Sequence, residues 1–308
     1  MIESRESSLL AATSQQVTIV AGKGGVGKST VSVASALANA RAGRSVILLS
    51  TDVSTITAKA EREVAQKEEY GSNPPVFQLL RAEEILIEYL ETHGLATLGK
   101  RLISTGVVSV IATAVPGIRE LLILAKIKQL AQSGNFERII FDAPASGHLM
   151  TLLSSPTGLK DIAKVGLLKS QSDDVEELLN DRSRSGLTIV TLPEETPVTE
   201  SIETIAKIRE LKSIAVNALV VNQRINAPKL STAGQTAISD SGDTSPSVKA
   251  YEYVTAREKI ADAEIQRLIH GVSDVDILEL PYLFQSNLSL SDLEQLKARE
   301  IIREGNLR

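Results

Sequence analysis

Apolar residues fall along this chain in short unbroken runs separated by longer amphipathic stretches. Runs at 16–21 (QVTIVA), 45–51 (SVILLST), 137–142 (ERIIFD), 187–192 (LTIVTL), 216–221 (VNALVV) and 275–280 (VDILEL) each predict a strand. Their near-continuous apolarity suits parallel strands covered on both faces. Between them, 31–43 (VSVASALANARAG) predicts a helix whose small residues allow close approach to a sheet. Further helices are predicted at 157–185, at 197–211 with Pro197 near the first turn, and at 248–270. Strands alternating with helices give an α/β fold class, a mostly parallel central sheet flanked by helices.

Three stretches depart from the alternation. Residues 53–135 carry no run that reads as a strand. A charged helical stretch at 59–70 is broken by Asn73-Pro74-Pro75, and helical spacing resumes with Ile85, Leu86, Tyr89 and Leu90. An apolar, small-residue stretch at 98–114 and an amphipathic helix at 118–131 follow, so 53–135 is expected to be a helical insertion. Residues 1–15 read as a flexible polar arm, and 226–247, rich in Ser, Thr, Gly and Pro, as a flexible surface segment. Residues 290–304 predict a terminal mixed-charge helix. The expected organisation is therefore the arm followed by one domain over 16–308.

Composition narrows the function classes. The 308 residues are 43% apolar and 23% charged, ordinary for a globular protein. A net charge of −5 argues against a nucleic-acid binder held by phosphate contacts. With no cysteine, disulfides and thiolate metal sites are excluded. No stretch approaches the ~18 apolar residues of a membrane span, and MIESRESS shows no secretory signal. A cytoplasmic location with at most transient membrane contact is the expectation.

The chemistry centres on Gly22-Lys23-Gly24-Gly25-Val26-Gly27-Lys28-Ser29-Thr30, between the first strand and the first helix. Strand, glycine loop and helix, with the pattern G-x-x-x-x-G-K-[ST], form a phosphate-binding loop. Glycines let backbone N–H groups curl around an anion, and the helix start turns its positive dipole end toward it. Lys28 is placed to reach the β- and γ-phosphates of ATP, and the Ser29 hydroxyl to ligate Mg2+. Asp52 ends the second strand, where ligands of open α/β sheets lie. It reads equally as a contact to Mg2+ or an attacking water and as a helix cap. Asp142 ends the 137–142 strand and fits a carboxylate that steadies the Mg2+ shell through water. The 143–148 loop (APASGH) follows, in which His148 reports on the γ-phosphate or pins the loop. Asn222 at a strand end offers an amide to an adenine edge, or is a turn residue.

The second lysine of GKGGVGKS, Lys23, gives a loop that resembles the deviant Walker A signature of ParA/MinD-type, nitrogenase iron-protein and ArsA-type ATPases. In those families this lysine crosses a dimer interface to the nucleotide of the partner subunit. Ser50-Thr51-Asp52, FDAPASGH at 141–148, VTLPEETPVTES leading to VVNQ at 220–223, and Leu280-Pro281 extend the resemblance. Together these blocks are similar to the ArsA family of arsenite-pump and tail-anchored-protein-targeting ATPases over about residues 16–285. The resemblance implies that Asp52 orients the hydrolytic water and that Asn222 and the loop after Pro281 line an adenine pocket. Several features depart from the family. Val53, Ser54 and Thr55 replace the usual residues after the Asp, so hydrolysis is expected to be slow or differently regulated. Metalloid-binding and zinc-clasp cysteines are missing, and only Met1 and Met150 stand in place of a Met-rich groove.

The leading expectation is thus a Mg2+-dependent ATPase working as a nucleotide-driven dimer. Catalysis falls to Lys23, Lys28 and Asp52. Candidate partners are a second copy or a similar ATPase, and a hydrophobic protein client. Residues 107–115 with 121–127 form the candidate client surface, against the plainer reading that they pack the helical layer. The alternatives are a ParA/MinD-like positioning or scaffold ATPase and a regulatory subunit of a heterodimer.

Overall fold

All six expected strands are present and lie side by side in a single sheet. The computed structural model describes residues 4–67, 70, 73–92, 117–162, 167–240 and 245–301. Among these the strands are β1 Ser4–Ser7, β2 Val17–Gly22, β3 Val46–Ser50, β4 Val76–Leu79, β5 Arg138–Asp142, β6 Ser185–Thr191, β7 Val216–Arg224, β8 Asp276–Pro281 and β9 Ala298–Ile301. Their order across the sheet is β1-β9-β8-β7-β6-β2-β5-β3-β4. From β8 to β4 every pair is parallel, while β9 runs antiparallel on β8 and β1 antiparallel on β9. The loops at the carboxyl ends of the parallel strands therefore share one edge. β2 lies between β5 and β6, at the crevice where the chain's progress across the sheet reverses.

Alternate residues of each strand serve two cores. Ile19, Leu49, Phe141, Ile189 and Val221 face one side, where Leu124 and Ile127, Leu152, Val198 and Ile265 cover them. Val20, Leu48, Ile140, Val190 and Leu278 face the other, against Val33 and Leu37, Ala60 and Val64, and Leu293. The helices are α1 Lys28–Arg41, α2 Thr55–Val64, α3 Ala82–Thr92, α4 Ile118–Gln132, α5 Ser146–Ile162, α6 Leu167–Asn180, α7 Glu195–Leu211, α8 Thr232–Asp240, α9 Pro246–Gly271 and α10 Leu290–Glu294. α1 is buried continuously from Val31 to Leu37. Its Ala and Ser side chains are what bring it that close to the strands.

Four expectations are corrected. The 53–135 stretch is not wholly helical, because β4 pairs with β3 as an edge strand. β4 has four residues and directly follows Pro74-Pro75, too short a run to show a strand period. The amino-terminal arm is docked: β1 pairs with β9, Leu9 and Ala12 are buried, and Asn39 Nδ2 donates to Thr13 Oγ1 at 2.8 Å. The terminal helix is only α10, after which the chain turns into β9. The 226–247 segment contains α8. The apolar residues 98–114 lie outside the described residues. Of the candidate client surface, Leu121, Ile123, Leu124 and Ile127 are buried in the core, so the packing reading holds for them.

α10 is fastened to the opposite end of the sheet. The Glu294 carboxylate, 2% exposed, pairs with Arg41 at 2.7 Å and Lys67 at 3.2 Å, and accepts a hydrogen bond from the Tyr70 hydroxyl. Lys59 Nζ donates to the Leu288 carbonyl at 2.6 Å, and Glu63 accepts from Leu290 N at 3.0 Å. These contacts hold α2, the helix just after Asp52.

Candidate nucleotide site

β2 ends at Gly22, hard against β6. A Cβ there would sit 2.2 Å from the Val190 carbonyl oxygen, so only glycine lets the chain leave the strand at this point. Gly25 and Gly27 take φ of 86° and 91°, in the left-handed region. Gly24 is exposed and unhindered, and Val26 is buried under the loop. Gly27 caps α1, whose first-turn N–H groups have no partners within the helix. The glycine loop thus presents free amides at the positive end of a helix dipole.

Inside this loop the side chains converge. Ser29 Oγ donates to Asp142 Oδ2 at 2.6 Å, and Ser32 Oγ, one turn on, to Oδ1 at 3.4 Å. Asp142 is 7% exposed. Burial pushes its carboxyl above the ordinary range, against the lowering by the Ser29 hydrogen bond and the Lys28 charge. Lys28 Nζ donates to the Lys23 carbonyl at 3.1 Å. Burial lowers its ammonium pKa, against the raising by Asp142 and then Asp52. Asp52 is exposed just beyond β3, close enough for its charge to act on both Lys28 and Asp142. Thr30 lies half-buried in the first turn of α1. Lys23, Lys28, Ser29, Asp52 and Asp142 thus lie together at one loop.

Asn222 and Pro281, the residues expected to line an adenine pocket, lie further along the same edge. Asn222, 5% exposed, donates from Nδ2 to the Val26 carbonyl at 3.0 Å, tying β7 to the glycine loop. Pro281 is exposed at the end of β8. Tyr282 N donates to the Arg224 carbonyl at 2.9 Å, and the Tyr282 and Phe284 rings meet edge-on at 4.8 Å between centroids. Phe284 is 75% exposed. His148 is exposed in the first turn of α5, which starts directly from the loop after Asp142.

Two residues joined to the site were not foreseen. Ser32 was legible in principle, since i and i+3 share a helix face. Glu200, which accepts a hydrogen bond from Lys23 Nζ, carried no local signal, being 177 positions away.

The donor set fits a divalent cation held jointly with phosphate. Among the described residues no three His, Asp or Glu form a self-sufficient metal cage. A hydroxyl and a buried carboxylate suit Mg2+, which keeps waters and takes phosphate oxygens as its remaining ligands. No helix among the described residues is long and apolar enough to cross a membrane.

A family model described as Anion-transporting ATPase matches residues 15–172. ATPase BagA of Mycobacterium tuberculosis (strain ATCC 25618 / H37Rv) is 28% identical over 267 residues, covering 82% of this chain and 77% of that protein. ATPase get3 of Schizosaccharomyces japonicus is 35% identical over 170 residues, 53% of this chain and 51% of that protein. ATPase get3 of Botryotinia fuckeliana is 35% identical over 175 residues, 55% and 51% of the two chains.

Proposed function

Because this chain belongs to the anion-transporting (ArsA) ATPase family, we propose that it hydrolyses ATP with Mg2+ in a site shared between two paired subunits. The observation that carries this reading is the Ser29–Asp142 hydrogen bond beneath Lys28 and the glycine loop. The loop amides and the α1 dipole hold the phosphates. Lys28 leaves the Lys23 carbonyl for the β- and γ-phosphoryl oxygens. Ser29 and, through water, Asp142 are the residues that would hold Mg2+. Mg2+, when bound, neutralises charge on the β- and γ-oxygens. Asp52 orients the attacking water, and Lys23 of each subunit stabilises charge in its neighbour's site.

The loop after Asp142 runs straight into α5, which packs on α4 and α6. A shift of that loop on phosphate release is thereby passed to the helical layer, the kind of two-state element nucleotide switches bias. That layer carries a groove of about 310 Å³ between α3 and α4, lined by Ile85, Leu86, Tyr89, Ile118 and Leu122. Its apolar lining is the surface we assign to a hydrophobic protein client.

The test is phosphate release by the purified chain, with Mg2+ and with EDTA, beside Lys28→Ala. Turnover that requires both Mg2+ and Lys28 supports the reading. A chain that binds no nucleotide refutes it. A chain that binds ATP but turns it over only beside a second, similar ATPase is the regulatory subunit of a heterodimer.

A further inference from the structure

The lysine assigned to the neighbour's site is engaged at home. Lys23 Nζ donates to Oε1 of Glu200, in the second turn of α7. α7 follows β6, the strand beside β2, so its amino-terminal half rises next to the glycine loop. The Lys23 side chain is 45% exposed and that of Glu200 38% exposed, so the pair sits on the rim of the site. Only one carboxylate oxygen is used. Oε2 of Glu200 is buried and has no hydrogen-bond partner among the described residues. Among the described residues Lys23 is the one cation paired with Glu200.

Both loop lysines are thus held by groups of their own chain. Lys28 rests on the Lys23 carbonyl, a phosphate-like acceptor, and Lys23 rests on a carboxylate. The Glu200 carboxylate and a neighbouring subunit's phosphate therefore compete for the one positive charge of Lys23. We propose that Glu200 is a positioning residue for Lys23. It fixes the lysine's resting orientation against α7, and releases it only to the higher charge of a triphosphate presented by a second copy of this chain. Glu200 acts through Lys23. The proposal rests on the cross-subunit role of Lys23 and adds the group that opposes it.

The size of the effect follows from exposure. A rim ion pair shifts an equilibrium by up to about five-fold. Two such pairs open per dimer, so the dimer constant shifts by up to about twenty-five-fold (five times five).

The experiment uses the full chain with Mg2+ and a non-hydrolysable ATP analogue. Sedimentation gives the concentration at half-dimerisation, and phosphate release with ATP gives turnover at saturating protein. Glu200→Gln keeps the shape and removes the charge. It is expected to lower the half-dimerisation concentration several-fold, with turnover per dimer unchanged and the wild-type melting profile retained. Glu200→Asp, which keeps the charge, is expected to restore the wild-type value. Glu203→Gln removes an exposed charge one turn on, away from Lys23, and is expected to leave it unmoved.

Equal shifts from Glu203→Gln and Glu200→Gln would mean general charge repulsion and overturn the proposal. So would a Glu200→Gln value equal to or above wild type. Lys23→Ala separates the two levels. If it dimerises and turns over as wild type does, the cross-subunit reading itself fails. If it loses turnover while Glu200→Gln behaves as wild type, only the role of Glu200 fails.

Discussion

Alanine placed in turn at Gly24, Gly25 and Gly27 separates what the glycine loop needs for folding from what it needs for its ligand. At Gly24 a Cβ meets nothing within 4 Å and the backbone is unstrained. Gly24→Ala is therefore expected to leave stability unchanged, or raise it by about 0.4–1 kcal/mol by restricting the unfolded chain. At Gly25 the space is equally open but φ is 86°, so alanine costs about 1–2 kcal/mol of left-handed strain. At Gly27 φ is 91° and a Cβ would sit 2.2 Å from Asn222 Nδ2. The amide must move, losing its bond to the Val26 carbonyl, in a place where Asn222 is 5% exposed. An unsatisfied buried amide adds about 1–3 kcal/mol to the strain, for a total of about 2–5 kcal/mol. Urea unfolding of the three variants without nucleotide gives the order, and fluorescent-nucleotide titration gives the affinities. ATP affinity is expected to fall in all three, because each Cβ intrudes where amides must close on phosphate. Equal stability losses at Gly24 and Gly27 would refute the account.

Asp52→Asn is expected to keep ATP affinity and lose turnover, measured by equilibrium binding beside phosphate release; undiminished turnover removes Asp52 from the mechanism. Burial raises the Asp142 pKa in the folded state, so its contribution to stability is fully present below the unfolded value near 3.8 and is lost as pH rises through the folded value. Asp142→Asn is accordingly expected to stabilise the ligand-free protein at pH 7, with no gain at strongly acid pH, while Mg2+-dependent turnover is lost; urea midpoints across pH show it. Glu294→Ala leaves Arg41, Lys67 and Tyr70 without their shared carboxylate, and is expected to cost roughly 1–3 kcal/mol by urea unfolding, the half-exposed cations holding it below a fully buried pair.

The parallel strands were legible because burial on both faces leaves unbroken apolar runs such as VILLS in β3 and IVT at the end of β6. The glycine loop was legible because its glycines and lysines are adjacent in sequence. β1 and β4 at the two edges, and β9 beside β1, were not, because strands of four residues are set by their partners and carry no period of their own. β1 reads as a polar arm until β9 is there to pair with it. Asn222 and Pro281 were located by motif, yet the bond from Asn222 to the Val26 carbonyl joins positions 196 apart and has no local signature. Glu200 was hidden for the same reason: the sequence around it says helix, and nothing in it says which lysine lies across the gap.

The two outermost strands, β1 and β4, are each four residues long. One follows a double proline, which has no N–H to offer an incoming strand, and the other has Arg5 and Glu6 at its middle. A nine-stranded sheet with long open borders would invite other chains to add on by main-chain pairing, the first step toward fibrous aggregation. Here both borders are too short and too poorly furnished for that. Association with other molecules is thus diverted from the sheet's flanks to side chains, where it can be specific and reversible.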